Sequence, residues 1–177
     1  MFEIKFYSRA GQGAKSAGEF LVEAMLNKDK YFQTYPNYGP ERTGAPMTAF
    51  VRFSDKPIKT YAPITEPDVV VVFDDSLPNI EDAVKGLKKD GIILINTRKD
   101  LKIKGNVHKI DATGIALKHL GKNIPNTTML GALLKITNAV DLDDLIQVIK
   151  NKFLKKIGEK NTNKNLAAIK EGYESIK

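Results

Sequence analysis

Residues 2–28 read FEIKFYSRAGQGAKSAGEFLVEAMLNK, and this stretch decides the fold. In FEIKFYS (2–8) apolar and polar residues alternate, the period of a strand with one buried face. In EFLVEAMLNK (19–28) the period changes. Phe20, Leu21, Ala24 and Met25 fall on one stripe of a helix. Between them lies the glycine-rich RAGQGAKSAG (9–18), so the unit is strand, tight turn, helix. Glycine in such a turn supplies positive φ and close packing. The same geometry leaves the first N–H groups of the helix from Gly13 unpaired, at the positive end of its dipole. A phosphate or pyrophosphate fits there without any side chain. Lys15, Ser16 and Arg9 would add charge or a hydroxyl. The turn is not a Walker loop, because the G-x-x-x-x-G-K-[ST] spacing is missing. Nor is it G-x-G-x-x-G, because Ser16 stands where the third glycine belongs.

Further along, YFQTY (31–35) is a short second strand, and MTAFVRFSD (47–55) alternates again before an SDKP turn. DVVVVFDD (68–75) and GIILIN (91–96) are continuous apolar runs, the mark of strands covered on both faces; NVHKID (106–111) is another strand. PNIEDAVKGLKK (78–89) reads as a helix with proline early in it. Beyond Ala112 the chain is helical: ATGIALKHLG, NTTMLGALLKITNAV (126–140) with Asn126 as a candidate cap, DLDDLIQVIKNKF (141–153) and KNLAAIKEGYESI (164–176). Strands alternating with helices predict a single α/β domain over 1–177. It has three layers, α/β/α, around a mixed, mostly parallel sheet, with a helical C-terminal third.

Composition narrows the function. The 177 residues contain no cysteine, which excludes disulfides, a thiolate nucleophile and cysteine-held zinc or iron–sulfur clusters in this chain. His108 and His119 stand apart, without metal-like partners in sequence. No apolar run approaches the ~20 residues a membrane span requires, and the start lacks the order of a signal peptide, so a cytoplasmic protein is expected. The net charge of +7 comes almost wholly from lysine; the only arginines are Arg9, Arg42, Arg52 and Arg98. The lysines are spread without interleaved aromatics, which argues against nucleic acid. No serine has a placed histidine, and Asp74–Asp75 most simply ends a strand.

YPNYGPERTGAP (35–46) is stiffened by Pro36, Pro40 and Pro46 and turned by Gly39 and Gly44. A rigid polar loop between two strands is usually placed for contact. Arg42 in it has the fork that clamps a carboxylate or phosphate, and Glu41 beside it could pair with a neighbour or another subunit.

Taken together, SRAGQGAKSAG, YGPERTGAP, VRFSDKPI, PDVVVVFD, NTTMLGALLKIT and the closing KN…A…GY resemble the gamma subunit of 2-oxoacid:ferredoxin oxidoreductases, the pyruvate and 2-oxoisovalerate enzymes in particular. The resemblance spans essentially the whole chain. It departs at Ser8 and Ala10, where that family has glycines, and at Arg42–Thr43, where it often has two arginines. The GAP form of the loop is more similar to pyruvate-type members than to the 2-oxoglutarate type.

The resemblance implies an enzyme that decarboxylates a 2-oxoacid on thiamine diphosphate and magnesium, passes electrons through iron–sulfur clusters to ferredoxin, and forms an acyl-coenzyme A. It places those cofactors in alpha, beta and delta subunits, and gives the gamma chain coenzyme A binding and subunit contacts. On that basis Arg9, Gly11, Gln12, Gly13, Lys15, Ser16 and Arg42 would face coenzyme A. Tyr38, Gly39, Pro40, Glu41, Gly44 and Pro46 would form an interface. Two other readings stay open: an assembly subunit that touches no ligand, and a stand-alone nucleotide-binding protein.

Overall fold

The computed structural model describes residues 1–26, 28–38 and 44–176. Among the described residues the six strands are β1 (Phe2–Arg9), β2 (Tyr31–Tyr38), β3 (Pro46–Ser54), β4 (Val69–Val72), β5 (Ile92–Asn96) and β6 (Asn106–Ile110). The helices are α1 (Ala14–Ala24), α2 (Ile80–Val84), α3 (Ala112–Leu120), α4 (Asn126–Thr137) and α5 (Leu142–Glu174). One sheet holds all six strands in the order β2-β3-β1-β4-β5-β6. β2, β3 and β1 pair antiparallel, whereas β1, β4, β5 and β6 run parallel. The sheet is mixed and mostly parallel, as the strand patterns predict.

The layers are unequal. Ile4 and Phe6 of β1, Val51 of β3, Val69 and Val71 of β4 and Leu94 of β5 point to the face covered by α1, α3, α4 and α5. The opposite face carries Val70, Val72 and Ile95, under the short α2 and the segment holding Leu101 and Ile103. Helix α2 is shorter than the 78–89 pattern suggests. Gly86, at φ +83°, turns the chain against the Thr65 carbonyl, where any side chain would collide. The Lys88 amide then donates to the Pro67 carbonyl at 3.1 Å.

The C-terminal helices differ from the sequence reading in two ways. Asn126 does not cap α4: Pro125 takes that position, and the Asn126 carboxamide accepts from the Thr127 amide at 2.9 Å. The segments 141–153 and 164–176 join in one long element, interrupted by Gly158 at φ 76° and ψ 167°. Two glycines let it approach α4. A Cβ on Gly131 would fall inside the Ile169 carbonyl, and one on Gly172 inside that of Thr128.

On the face away from α1, Gln33, Arg52 and Glu3 form a row across β2, β3 and β1. Arg52 is 2% exposed, with Nη2 donating to the Ala62 carbonyl at 2.9 Å and Nη1 to Gln33 Oε1 and the Thr60 carbonyl at 3.3 Å. Its Nε lies 3.1 Å from Glu3 Oε1. That approach is too bent for a hydrogen bond, so the contact is an ion pair. Arg52 thereby ties the loop after β3 onto the sheet. No described helix is long and apolar enough to cross a membrane.

Candidate functional site

β1 feeds α1 on one face of the sheet, and β4 feeds α2 on the other. The gap between two parallel strands whose connections leave on opposite sides is where open α/β sheets bind ligands. The glycine turn lies at this point. Gly11 takes φ 105° and Gly13 φ 87°, values that favour glycine. Gly13 caps α1 with no side-chain hydrogen bond and no acid in the first turn. It also has no room for a side chain, because a Cβ would meet Asn126 Nδ2 at 2.5 Å. Asn126 therefore supports the turn from below.

The predicted ligand residues divide into two groups. Arg9 and Gln12 are engaged by the chain itself. The Arg9 Nε is 3.2 Å from Asp74 Oδ2, its Nη1 donates to the Gly44 carbonyl at 3.1 Å, and its Nη2 donates to the Ser76 carbonyl at 2.8 Å and Oγ at 3.0 Å. Gln12 is buried; its Nε2 donates to Asp74 Oδ2 at 2.9 Å and its Oε1 accepts from the Arg9 amide at 2.8 Å. Burial pushes the Asp74 carboxyl up. Hydrogen bonds from Ser76 and Gln12, with the nearby Arg9 charge, outweigh that and hold it below the ordinary carboxylate range. A depressed folded-state value means this brace contributes fully above the ordinary range and is lost as acid protonates Asp74. Gly11 and Lys15 are exposed and Ser16 is half-buried. Lys15 has only a loose pairing with Glu19, at 3.7 Å. The open side of the turn is therefore Gly11 and the first turn of α1.

The proline loop returns to the same place. The Ala10 amide donates to the Ala45 carbonyl at 2.9 Å, and the Gly44 amide to the Ala10 carbonyl at 3.0 Å. Pro46 is paired with Arg9, and Met47 with both Ser8 and Tyr38. The return end of the loop is thus bonded to the glycine turn, and its first end lies one strand further out, across β3. The readings placed on Gly39, Pro40, Glu41 and Arg42 lie outside the described residues.

Sequence reasoning missed the role of Asp74 and Ser76 as anchors. The available signal was an acid at the carboxyl end of an apolar strand, which sheet order places beside the turn. It also missed a cleft of about 480 Å³ next to it, at the ends of β4, β5 and β6. There the Lys99 Nζ meets Asp75 Oδ1 at 3.1 Å, and the Arg98 Nε meets Asp111 Oδ2 at 2.7 Å. The Asn96 side-chain Nδ2 donates to the Phe73 carbonyl and Thr113 Oγ1, both at 2.8 Å.

The chain matches the model of the pyruvate ferredoxin/flavodoxin oxidoreductase family over residues 3–175. The chain belongs to that family. The resemblance drawn from the sequence motifs is met across nearly the whole chain. The chain is 47% identical over 169 residues to the pyruvate/ketoisovalerate oxidoreductases common subunit gamma of Thermococcus kodakarensis, with 91% of each chain covered. The crystal structure of pyruvate oxidoreductase subunit PORC from Thermotoga maritima is 43% identical, with a TM-score of 0.89, covering 99% of this chain and 97% of that one. The fold recurs, at 22% identity and TM-score 0.82, in 31% of the 2-oxoglutarate:ferredoxin oxidoreductase from Magnetococcus marinus. That enzyme's structure holds 2-oxoglutarate, coenzyme A and succinyl-CoA.

Proposed function

We propose that this chain is the gamma subunit of a cytoplasmic pyruvate or related 2-oxoacid:ferredoxin oxidoreductase, and that its glycine turn receives the diphosphate of coenzyme A. Alpha, beta and delta chains supply thiamine diphosphate, magnesium, the clusters and the route to ferredoxin. Family membership and the names of its relatives support the subunit role. The observation that carries the ligand reading is the open start of α1. It combines positive-φ glycines, no cap side chain and no first-turn acid with an exposed Lys15. Such a start attracts a phosphate through backbone amides and dipole together. Arg9, Gln12 and Asp74 then act as the brace that fixes the amides, and Lys15, Ser16 and Arg42 supply charge and donors around the phosphates. The return limb Gly44–Pro46, with Tyr38, Gly39, Pro40 and Glu41, contacts a neighbouring subunit.

In the assembled enzyme, Lys15→Glu will raise the coenzyme A dissociation constant about tenfold, and Arg42→Ala will do likewise, with assembly intact. Titration calorimetry reads the affinity and size-exclusion chromatography the assembly. Unchanged affinity in both variants removes the ligand reading. Lost assembly with unchanged affinity favours a purely structural subunit.

A further inference from the structure

The middle of α5 contributes nothing to the core. Leu145 and Ile149 before it, and Ala168 and Ile169 after it, are core residues, yet residues 154–161 are exposed one after another. Within that run Leu154 is 45% exposed and Ile157 36%. Gly158 bends the helix at a φ that favours glycine, with open space around it. The bend makes an elbow. On its inner side is a cleft of about 290 Å³ lined by Phe153, Ile157, Leu120 and Ile124, with Lys122 and Lys164 at the margin. Ile124 is 38% exposed.

The charge of this surface is predominantly positive. The elbow carries Lys155, Lys156 and Lys160 against Glu159 alone, and the cleft margin adds Lys122 and Lys164. Lys118 and Lys152, nearer the body, pair with Glu171 and Glu23. The five lysines of the elbow and margin have no such partner among the described residues.

We infer that the α5 elbow and its cleft are a docking surface for another subunit of the oxidoreductase. The face it fits has an apolar side chain for the cleft and a surrounding rim of carboxylates. The inference rests on reading the chain as one subunit of a larger enzyme, and not on the glycine turn. Three observations select this occupant. An apolar centre inside a charged rim is the anatomy of a protein–protein interface. A helical stretch that adds no side chain to the core is poorly supported by propensity alone, and burial by a partner supplies what is missing. The cations of the rim are all lysines and no exposed aromatic stands among them, so it lacks the stacking groups of a single-stranded nucleic acid surface and the arginine fork favoured for phosphate.

The test compares backbone hydrogen exchange over 150–163 in the assembled holoenzyme and in the isolated full chain. Amides of 154–161 should exchange at least tenfold more slowly in the holoenzyme, and nuclease treatment should leave that protection unchanged. The double variant Leu154→Asp, Lys156→Glu should reduce incorporation into the holoenzyme at least tenfold at moderate salt, whereas Lys102→Glu, exposed elsewhere, should not. Because Leu154 lies outside the core and Lys156 is exposed, the isolated double variant should melt with the wild type; if it melts early, the exchange comparison decides. Equal exchange in the free and assembled chain overturns the inference and leaves the subunit reading standing. Protection that nuclease removes overturns it in favour of nucleic acid. Failure of the wild-type chain to assemble at all overturns both.

Discussion

Gly131→Ala will lower the unfolding free energy by about 3 kcal/mol, at the upper end of what overpacking usually costs. The added Cβ meets the carbonyl of Ile169, which is helix backbone and cannot swing aside like a side chain. Relief requires α4 and α5 to separate. The contact is central, since Met129, Leu130 and Leu133 of α4 and Ala168 and Ile169 of α5 share the main core. Gly172→Ala creates the same collision from the other helix, against the Thr128 carbonyl. In a chain of this size about 3 kcal/mol corresponds to roughly 6–12 °C in Tm. Gly121→Ala is the comparison. That glycine has φ 66° and no neighbouring atom, so alanine there adds only backbone strain, about 1 kcal/mol. Thermal melts of the three variants decide the matter. If Gly131→Ala costs no more than Gly121→Ala, the close approach of the two helices is wrong.

Arg52→Ala will cost about 3–5 kcal/mol, the range for breaking a buried ion pair by removing one partner. Glu3 would be left on the covered face without its cation. The Ala62 and Thr60 carbonyls and Gln33 would lose a donor, and the loop after β3 its tie to the sheet. Replacing both ends, Glu3→Leu with Arg52→Met, should recover most of the loss, because no isolated charge then remains buried. Denaturant unfolding of the single and double variants measures this. A single-variant cost below about 1 kcal/mol would mean that water reaches the pair and that the loop does not cover it.

Sequence alone made the first βα unit legible, because its signals are local: alternation, glycine, then a helical stripe. The β2–β3 pair was legible for the same reason, except that β2 runs on to Tyr38, through residues that read as the start of the proline loop; both apolar strands fell where their runs predict. What could not be read required distant contacts. Helix α2 stops early because Gly86 turns against Thr65, a neighbour its own sequence does not announce. The elbow of α5 is not announced by its sequence, because Ile157 is the one large apolar side chain in 155–163, too few to set a helical stripe. Arg9 looked like a free ligand arginine because its partners, Asp74 and Ser76, come 65 and 67 residues later. The glycine turn itself was read correctly as a place with positive-φ residues at a helix start. Its division into a braced side and an open side needed the order of β1 and β4 in the sheet.

The most direct measurement is a structure of the assembled oxidoreductase with coenzyme A bound. Diphosphate oxygens should lie about 2.7–3.2 Å from main-chain nitrogens in the first turn of α1, with the Arg9–Asp74–Gln12 brace unchanged. A diphosphate held elsewhere, with the start of α1 covered by a neighbouring subunit, would contradict it.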